Sequence, residues 1–431
     1  MSDARRPAGT YVPQVAVVNL GCRVNRVESD VIARRLIDAG CEICDERDAD
    51  VVVINTCAVT GEAQAKARKA VRHAAHLPKA PQVIACGCAA NLFAEELREA
   101  VPNITVELRK DVVAQRVLDL LGFDDARSAG TSHLAMTPTP TGRMRPGIKI
   151  QDGCNNRCTY CIVWKARGPS RSLASSEVVR AVNEACANHA HEVVLSGINL
   201  GNYRAPAGDT LGEGAGLDAL LDHLLQHTTI ERMRIASIEP PEVTDELLDV
   251  MADSNGRVAP FLHVCLQSGC DDTLERMGRT YNTAFFADVV ARARARLDHV
   301  AIGTDVIVGF PGETDEEFEA SYAFCEQMQF ARMHVFRYSR RPGTPAAEAP
   351  NQIPAPEIAA RSARMRDLAN TLRVQNARPL HGVYDDVLVL SSGRAVDARL
   401  FEVKVKPELE PGSMVHVMLK ANVEGQLEGF E

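Results

Sequence analysis

Cys154, Cys158 and Cys161 stand in the stretch QDGCNNRCTYCIVWKARG (151–168) with the spacing C-x3-C-x2-C. Thiolates bind soft or borderline metals, and an iron-sulfur cubane needs one outside ligand on each of its irons. Three cysteines hold three irons and leave one open. S-adenosylmethionine can chelate an open iron through its amino and carboxylate groups, and an electron from the cluster can then cleave its sulfonium bond to a 5'-deoxyadenosyl radical. The alternatives are a zinc site completed by a distant residue and buried cysteines that bind nothing. Tyr160, between the last two cysteines, offers an aromatic face for a nucleoside or a packing ring.

A second set of thiols follows three strand-like runs near the N-terminus: Cys22 after VVNLG, Cys57 after VVINT and Cys88 after VIACG. In a parallel sheet the carboxyl ends of the strands share one edge, where α/β proteins collect their ligands. Three thiols at equivalent strand ends favour a second three-thiolate cluster over three unrelated buried cysteines. Cys41 and Cys44 form a lone C-x2-C in a turn, and Cys86, Cys186, Cys265, Cys270 and Cys325 read as packing residues.

The elements that must hold these residues alternate. From residue 14 to about 122, short β-branched runs alternate with segments of helical spacing, which argues for an N-terminal parallel α/β domain (1–123). Residues 124–142, rich in Ser, Thr, Pro and Gly, read as a linker. In 143–373 six strand-helix units follow, from GIKIQDG to RMHVFRYS, and suit a partial (β/α)6 barrel of the TIM type. Residues 374–431 turn to all-β patterning and fit a small OB-like barrel. The triad at 154–161 then sits in the loop after the first barrel strand, on the face where such barrels carry their chemistry.

Strand ends on that face supply candidate S-adenosylmethionine contacts: Gly197 and Asn199 in LSGIN, Ser237 and Glu239 in ASIEP, Gln267 in LQSG and Asp305 in GTDVIVGF. Asp305 interrupts an apolar run, so a buried hydrogen-bonded carboxylate is its rival reading. A tight turn is the rival for Gly197, and loop capping for the others.

The chain has 431 residues, 48 basic against 57 acidic, for a formal net charge of -9, which argues against bulk electrostatic capture of nucleic acid. Local charge differs. Arg143, Arg145, Lys149, Arg157, Lys165, Arg167 and Arg171 face only one acid, Asp152, between residues 143 and 171, an excess that suits RNA phosphates beside the reactive loop or simply a solvated face. The last segment is acidic, with six Lys or Arg against nine Asp or Glu in 374–431, so an RNA-gripping face and docking onto the other domains stand level. No apolar run is long enough to cross a bilayer, and MSDARRPAGTYVPQ lacks the apolar region of a secretion signal. Thirteen cysteines then point to a reducing compartment, the cytoplasm, with no membrane partner.

With LGCRVNRVESD, NTCAVT, GCAAN, IQDGCNNRCTYCIV, LSGINLGNY, RIASIEP, HVCLQSGCDDTLERMGRTY, GTDVIVGFPGETDEEF and FRYSRRPGTPA in order, the sequence resembles the radical-S-adenosylmethionine methylthiotransferase family over essentially its whole length. The resemblance implies two 4Fe-4S clusters, an auxiliary one on Cys22, Cys57 and Cys88 and a radical-generating one on Cys154, Cys158 and Cys161, and an RNA-binding TRAM domain at the C-terminus. It implies transfer of a methylthio group to an unreactive C–H carbon, with S-adenosylmethionine used twice, and with an electron donor such as flavodoxin or ferredoxin and a sulfur donor as partners. A monomer is expected.

LGCRVNRVESD looks like the branch acting on carbon 2 of N6-threonylcarbamoyladenosine at position 37 of tRNA. The alternatives are the branches acting on isopentenyladenosine in tRNA or on a ribosomal-protein aspartate, and a non-enzymatic iron-sulfur regulator that binds RNA. Two features depart from the family pattern: Trp164 and Lys165 stand where a Pro-Tyr pair is common, and the C-terminal segment is acidic.

Overall fold

The computed structural model describes residues 11–101, 104–123 and 143–430, so the expected linker at 124–142 lies outside the described residues. The described chain divides into two compact units, one ending at residue 123 and one beginning at residue 143.

The first unit is a five-stranded parallel sheet of β1 (Gln14–Asn19), β2 (Glu42–Ile43), β3 (Val51–Thr56), β4 (Gln82–Gly87) and β5 (Thr105–Val106), in the order β2-β1-β3-β4-β5. Every residue of β3 is buried because helices cover both faces of the sheet. Val51 and Val53 point into one core with Ile32, Leu36 and Val117, and Val52 and Ile54 into the other with Val71, Ala74 and Leu97. The chain leaves β1 toward one side of the sheet and returns through β3 to build the other, so β1 and β3 flank a topological switch point, where open α/β sheets bind ligands beyond the strand ends. Cys41 and Cys86 are buried in one core, and Cys44 packs against the other.

The second unit opens with β6 (Gly147–Lys149) and a small hairpin of β7 (Gln151–Asp152) and β8 (Arg171–Ser172). The parallel strands β9 (Glu192–Ser196), β10 (Arg232–Ile235), β11 (Phe261–His263), β12 (Ala301–Val308) and β13 (Arg332–Arg337) complete the series. Two three-stranded sheets, β10-β9-β6 and β11-β12-β13, join through a parallel bridge between Ile238 and Val264, giving an arc of six strands in sequence order. This is the expected partial barrel. Among the described residues no strand closes the gap between its outer strands, β6 and β13.

The helix Ala355–Ala377 packs on β13 and runs through the expected domain division at 373/374. The C-terminal segment follows it as a closed five-stranded barrel of β14 (Tyr384–Ser391), β15 (Arg394–Val396), β16 (Glu402–Lys404), β17 (Met414–Ala421) and β18 (Leu427–Phe430), in the order β14-β15-β16-β18-β17. Its core of Val387, Val389, Val403, Val417 and Leu419 continues into Phe261, Ala301 and Ala331 at the amino ends of the larger barrel's strands. Arg232 and Arg234 on β10 reach it from inside that barrel: Arg232 donates to the Asp386 carbonyl (2.7 Å), and Arg234 to those of Ala398 (2.8 Å) and Asp397 (3.2 Å). Docking is therefore one role of this segment, and it closes the floor of the larger barrel.

Candidate active site

The 154–161 loop begins where β7 ends. Gly153 has φ +75°, and a Cβ there would lie 1.9 Å from the Pro169 carbonyl oxygen, so only glycine admits the chain at this corner. The Cys154 amide donates to the Gly168 carbonyl (3.1 Å) and the Thr159 amide to that of Met277 (3.0 Å), which pins the loop at two points. Backbone amides address two sulfurs, Asn156 N to Cys154 Sγ and Val163 N to Cys161 Sγ, each at 3.4 Å. Burial pushes the Cys154 thiol up and the Cys161 thiol up to about 11, and the charge of Cys158 adds to both shifts. Three thiols thus share one pocket. Its N–H donors favour sulfur that carries charge, so the donor set fits a three-thiolate cluster, with iron displacing the thiol protons.

Arg279 was not among the residues singled out in the sequence. It is 3 % exposed in its side chain and donates through Nη1 to Cys158 Sγ (3.1 Å), while Glu239 pairs with it and Tyr281 accepts from its Nε (3.1 Å). Its only signal is the basic residue in ERMGRTY, in a loop remote in sequence from the cysteines.

The strand-end candidates divide. A Cβ at Gly197 would lie 2.8 Å from Gln151 Oε1, so the backbone passes tight against the hairpin. The Asn199 amide donates to that same oxygen (2.9 Å), and its side chain, oriented to satisfy its neighbours, donates to both Glu242 oxygens (3.1 and 2.9 Å). Burial raises Glu242, a residue sequence reasoning passed over, to about 7. Ser237 lies beside the Cys265 thiol, and Glu239 pairs with Arg279. Gln267 takes φ +70° and exchanges backbone hydrogen bonds with β12, donating to Asp305 O and accepting from Ile307 N, both at 2.8 Å. Tyr160 packs edge-on against Phe310 in an apolar cluster with Met277 and Ala346, which is the packing reading.

Asp305 is held by its neighbours. Its Oδ1 meets His263 Nε2 (2.9 Å) and His334 Nδ1 (3.1 Å), and its Oδ2 receives the Cys265 thiol (3.8 Å). Burial works to raise its pKa, but the two histidines prevail and hold it well below the usual carboxylate range. The carboxylate is committed to an internal lumen network, which is the rival reading of its sequence. Cys265 belongs to the same network, so it is more than a packing residue.

The basic run is also partly consumed. Asp152 gathers Lys149 (3.1 Å), Arg167 (3.2 Å) and Arg171 (2.8 Å), and Arg145 pairs with Glu192 (3.8 Å). Arg167 and Arg145 are therefore structural, because a buried carboxylate requires a charge partner. Arg143 is half-buried and engaged. Arg157 stacks on Trp164 (4.3 Å), and Lys165 lies over the same ring (5.2 Å) while donating to Gly343 O (2.5 Å). Arg157, Lys165 and Arg171 remain exposed beside the loop.

The second triad converges at the switch point of the first unit. Cys22 precedes the helix Arg23–Asp38, Cys57 follows β3 directly, and Cys88 opens the helix Cys88–Leu92 after β4. Cys22 Sγ and Cys88 Sγ reach one oxygen, Asn25 Oδ1, at 3.7 and 3.9 Å. Burial raises the Cys57 thiol, partly offset by the Val59 amide, and the charges of Cys22 and Cys88 add to the rise. Asn25 is wholly buried, donating to Asn55 Oδ1 (3.2 Å) and Thr56 O (2.8 Å), so it ties the loop after β1 to the end of β3. Cys22 is exposed, which leaves this triad open on one side. It too fits three ligands of a cluster.

An incomplete six-stranded barrel with a three-cysteine loop after its first strand defines a radical S-adenosylmethionine protein. The Radical SAM superfamily model matches residues 148–325, and that of the uncharacterized protein family UPF0004 matches residues 14–108. The chain is 36% identical to the threonylcarbamoyladenosine tRNA methylthiotransferase MtaB of Bacillus subtilis, over 79% of this chain and 76% of the relative. It is 33% identical to the tRNA-2-methylthio-N(6)-dimethylallyladenosine synthase of an Arthrobacter species, over 97% and 83%. In fold it matches a cobalamin- and [4Fe-4S]-bound radical S-adenosylmethionine methyltransferase, TsrM, from Kitasatospora setae, with TM-score 0.54 and 16% identity over 78% and 77% of the two chains. The chain belongs to the radical S-adenosylmethionine methylthiotransferase family, enzymes that use S-adenosylmethionine and two 4Fe-4S clusters. No described helix is long and apolar enough to cross a membrane.

Proposed function

We propose that this protein attaches a methylthio group to carbon 2 of N6-threonylcarbamoyladenosine at position 37 of tRNA. The observation that carries the reading is the pair of three-cysteine sites, one within the loop after β7 and one gathered at the carboxyl ends of the parallel strands β1, β3 and β4. The 36% identity to the relative named for that nucleoside supports this substrate over isopentenyladenosine.

Cys154, Cys158 and Cys161 would hold one cluster, and Cys22, Cys57 and Cys88 the other. Bound there, the clusters and S-adenosylmethionine supply a hydrogen-abstracting radical and a site for the sulfur that is transferred. The chain's own groups bind and orient. Arg279 sets a fixed positive charge against Cys158, Glu239 and Tyr281 hold that guanidinium, and Asn199 with Glu242 lines the pocket near Cys154. Arg157, Lys165 and Arg171 offer phosphate contacts at the rim. A flavodoxin- or ferredoxin-type electron donor, a sulfur donor, a cytoplasmic location and a monomeric state complete the reading.

The test is anaerobic reconstitution with tRNA, S-adenosylmethionine and a reductant, followed by mass spectrometry of the nucleosides. Expected products are 5'-deoxyadenosine and methylthio-threonylcarbamoyladenosine. Cys161→Ala should abolish both, and Cys57→Ala only the second. Methylthiolation of isopentenyladenosine tRNA alone, or none with 5'-deoxyadenosine still released, would refute the substrate; no S-adenosylmethionine cleavage at all would favour a non-enzymatic role.

A further inference from the structure

At the floor of the larger barrel three arginines share one carboxylate. Glu192 on its floor is wholly buried and serves Arg232 (2.6 Å), Arg234 (3.0 Å) and Arg145 (3.8 Å). Burial opposes its ionisation, but Arg234 and Arg232 overcome that and hold it at about 2, so this charge is fully used. Asp305, one layer higher, has its Oδ1 occupied by hydrogen bonds to His263 and His334.

Arg332 is left over. It opens β13, in register with Gly303, while His334 lies opposite Asp305 and Phe336 opposite Ile307. Residues 332, 334 and 336 share the lumen face by the two-residue period of a strand, and all three are exposed on β13, an outer strand of the arc among the described residues. Arg332 donates through Nε to His334 Nε2 (3.2 Å), and no carboxylate among the described residues pairs with its guanidinium. Desolvation and then the neighbouring charge of Arg234 push its pKa down, as for a cation still lacking a counter-charge.

The layers explain how it is aimed. Asp305 accepts from Nδ1–H of His334, which leaves Nε2 as an acceptor, and that nitrogen takes the Arg332 Nε–H. The terminal guanidinium nitrogens stay available as a two-pronged donor, the geometry that matches a carboxylate. Above it the Phe336 ring stands edge-on to His334 (6.5 Å between centroids) and offers an apolar face to a flat base. From Arg332 to Phe336 the strand rises roughly 13 Å, comparable to a purine with an extended carbamoyl amino acid on N6.

We propose that Arg332, oriented by His334 and Asp305, binds the carboxylate of the substrate's N6 substituent and so selects an amino-acid-bearing adenosine over one with an apolar substituent. This rests on the function proposed above, whose substrate bears a free threonine carboxylate. An isopentenyl group would meet an uncompensated cation there, which costs binding instead of adding to it.

The experiment uses the reconstituted holoenzyme and three anticodon stem-loop RNAs: one with threonylcarbamoyladenosine, one with its threonine carboxamide and one with isopentenyladenosine. The readout is the ratio of kcat/KM for methylthiolation, acid over amide, within each protein, which cancels any loss of folded fraction. A charge-assisted pair contributes about 1.5–3 kcal/mol, so the native protein should prefer the acid by roughly ten- to a hundredfold. Arg332→Gln should bring the ratio to within about twofold of unity, and Arg332→Lys should retain part of it. An equal rate on acid and amide in the native protein, or an undiminished ratio in Arg332→Gln, overturns the assignment of Arg332 while leaving the proposed substrate standing. Turnover of the isopentenyl RNA alone overturns both.

Discussion

Arg279 Nη1 lies 3.1 Å from Cys158 Sγ, joining a buried cation to one corner of the three-cysteine site. Glu239 and Tyr281 fix that guanidinium from its other sides, so its position does not depend on a bound cofactor. A positive charge donating to a ligating sulfur favours the electron-rich state of the metal. Arg279→Gln is therefore expected to move the midpoint potential of the cluster on this triad to more negative values. A redox titration followed by electron paramagnetic resonance reads it, and an unchanged midpoint would make Arg279 a packing residue.

The auxiliary triad depends on Asn25, which bonds Asn55 and Thr56 while both Cys22 and Cys88 reach its Oδ1. Asn25→Ala removes these bonds from a fully buried position, at a cost of about 1–3 kcal/mol. Iron retained after reconstitution should fall in this variant, with the 154–161 site intact. Denaturant titration together with iron analysis checks both; full iron content would show that the loop after β1 holds Cys22 unaided.

Arg234 ties the barrel floor to the C-terminal domain through Glu192 and the carbonyls of Asp397 and Ala398. Breaking a buried pair from one side costs about 3–5 kcal/mol. Arg234→Met should expose the segment after residue 377 to protease well before the native protein is cut. Equal resistance would mean that the apolar core shared with Phe261 and Ala301 suffices for docking.

Asp397 is buried, and burial, then the charge of Asp385, raises its carboxyl to about 7. A raised acid contributes stability that is complete below its unfolded pKa, near 4, and is lost as pH rises through about 7, because the folded state alone keeps the proton. Thermal stability of the second unit should decline across that window, and Asp397→Asn should flatten the decline. Melting curves from pH 4 to pH 8 decide it; an identical slope in the variant would assign the decline to other groups.

Much of the architecture was legible in the sequence because burial leaves a periodic trace. Val51–Ile54 of β3 form an unbroken apolar run since helices cover both faces, and the six runs from GIKI to RMHVFR announce six parallel strands. The cysteine sets were legible for local reasons: Cys154, Cys158 and Cys161 share one short loop, while Cys22, Cys57 and Cys88 each come just after a strand, so strand order brings those three ends together. Asp305 and Arg145 were read differently because their partners are remote in sequence. Glu192, His263 and His334 each belong to another strand, and nothing in the local pattern indicates which charge will be neutralised.

By itself, the sequence determined the order of strands and helices, the position of both cysteine sets at strand ends and the family, since these follow from local periodicity and short spacings. Only the tertiary structure decided which charges are spent and which remain. Arg167 is consumed by Asp152, Arg279 is aimed at Cys158, and Arg332 keeps no carboxylate partner among the described residues. The physical reason is that an ion's fate depends on what lies within a few ångströms of it, and the fold alone brings those distant residues together.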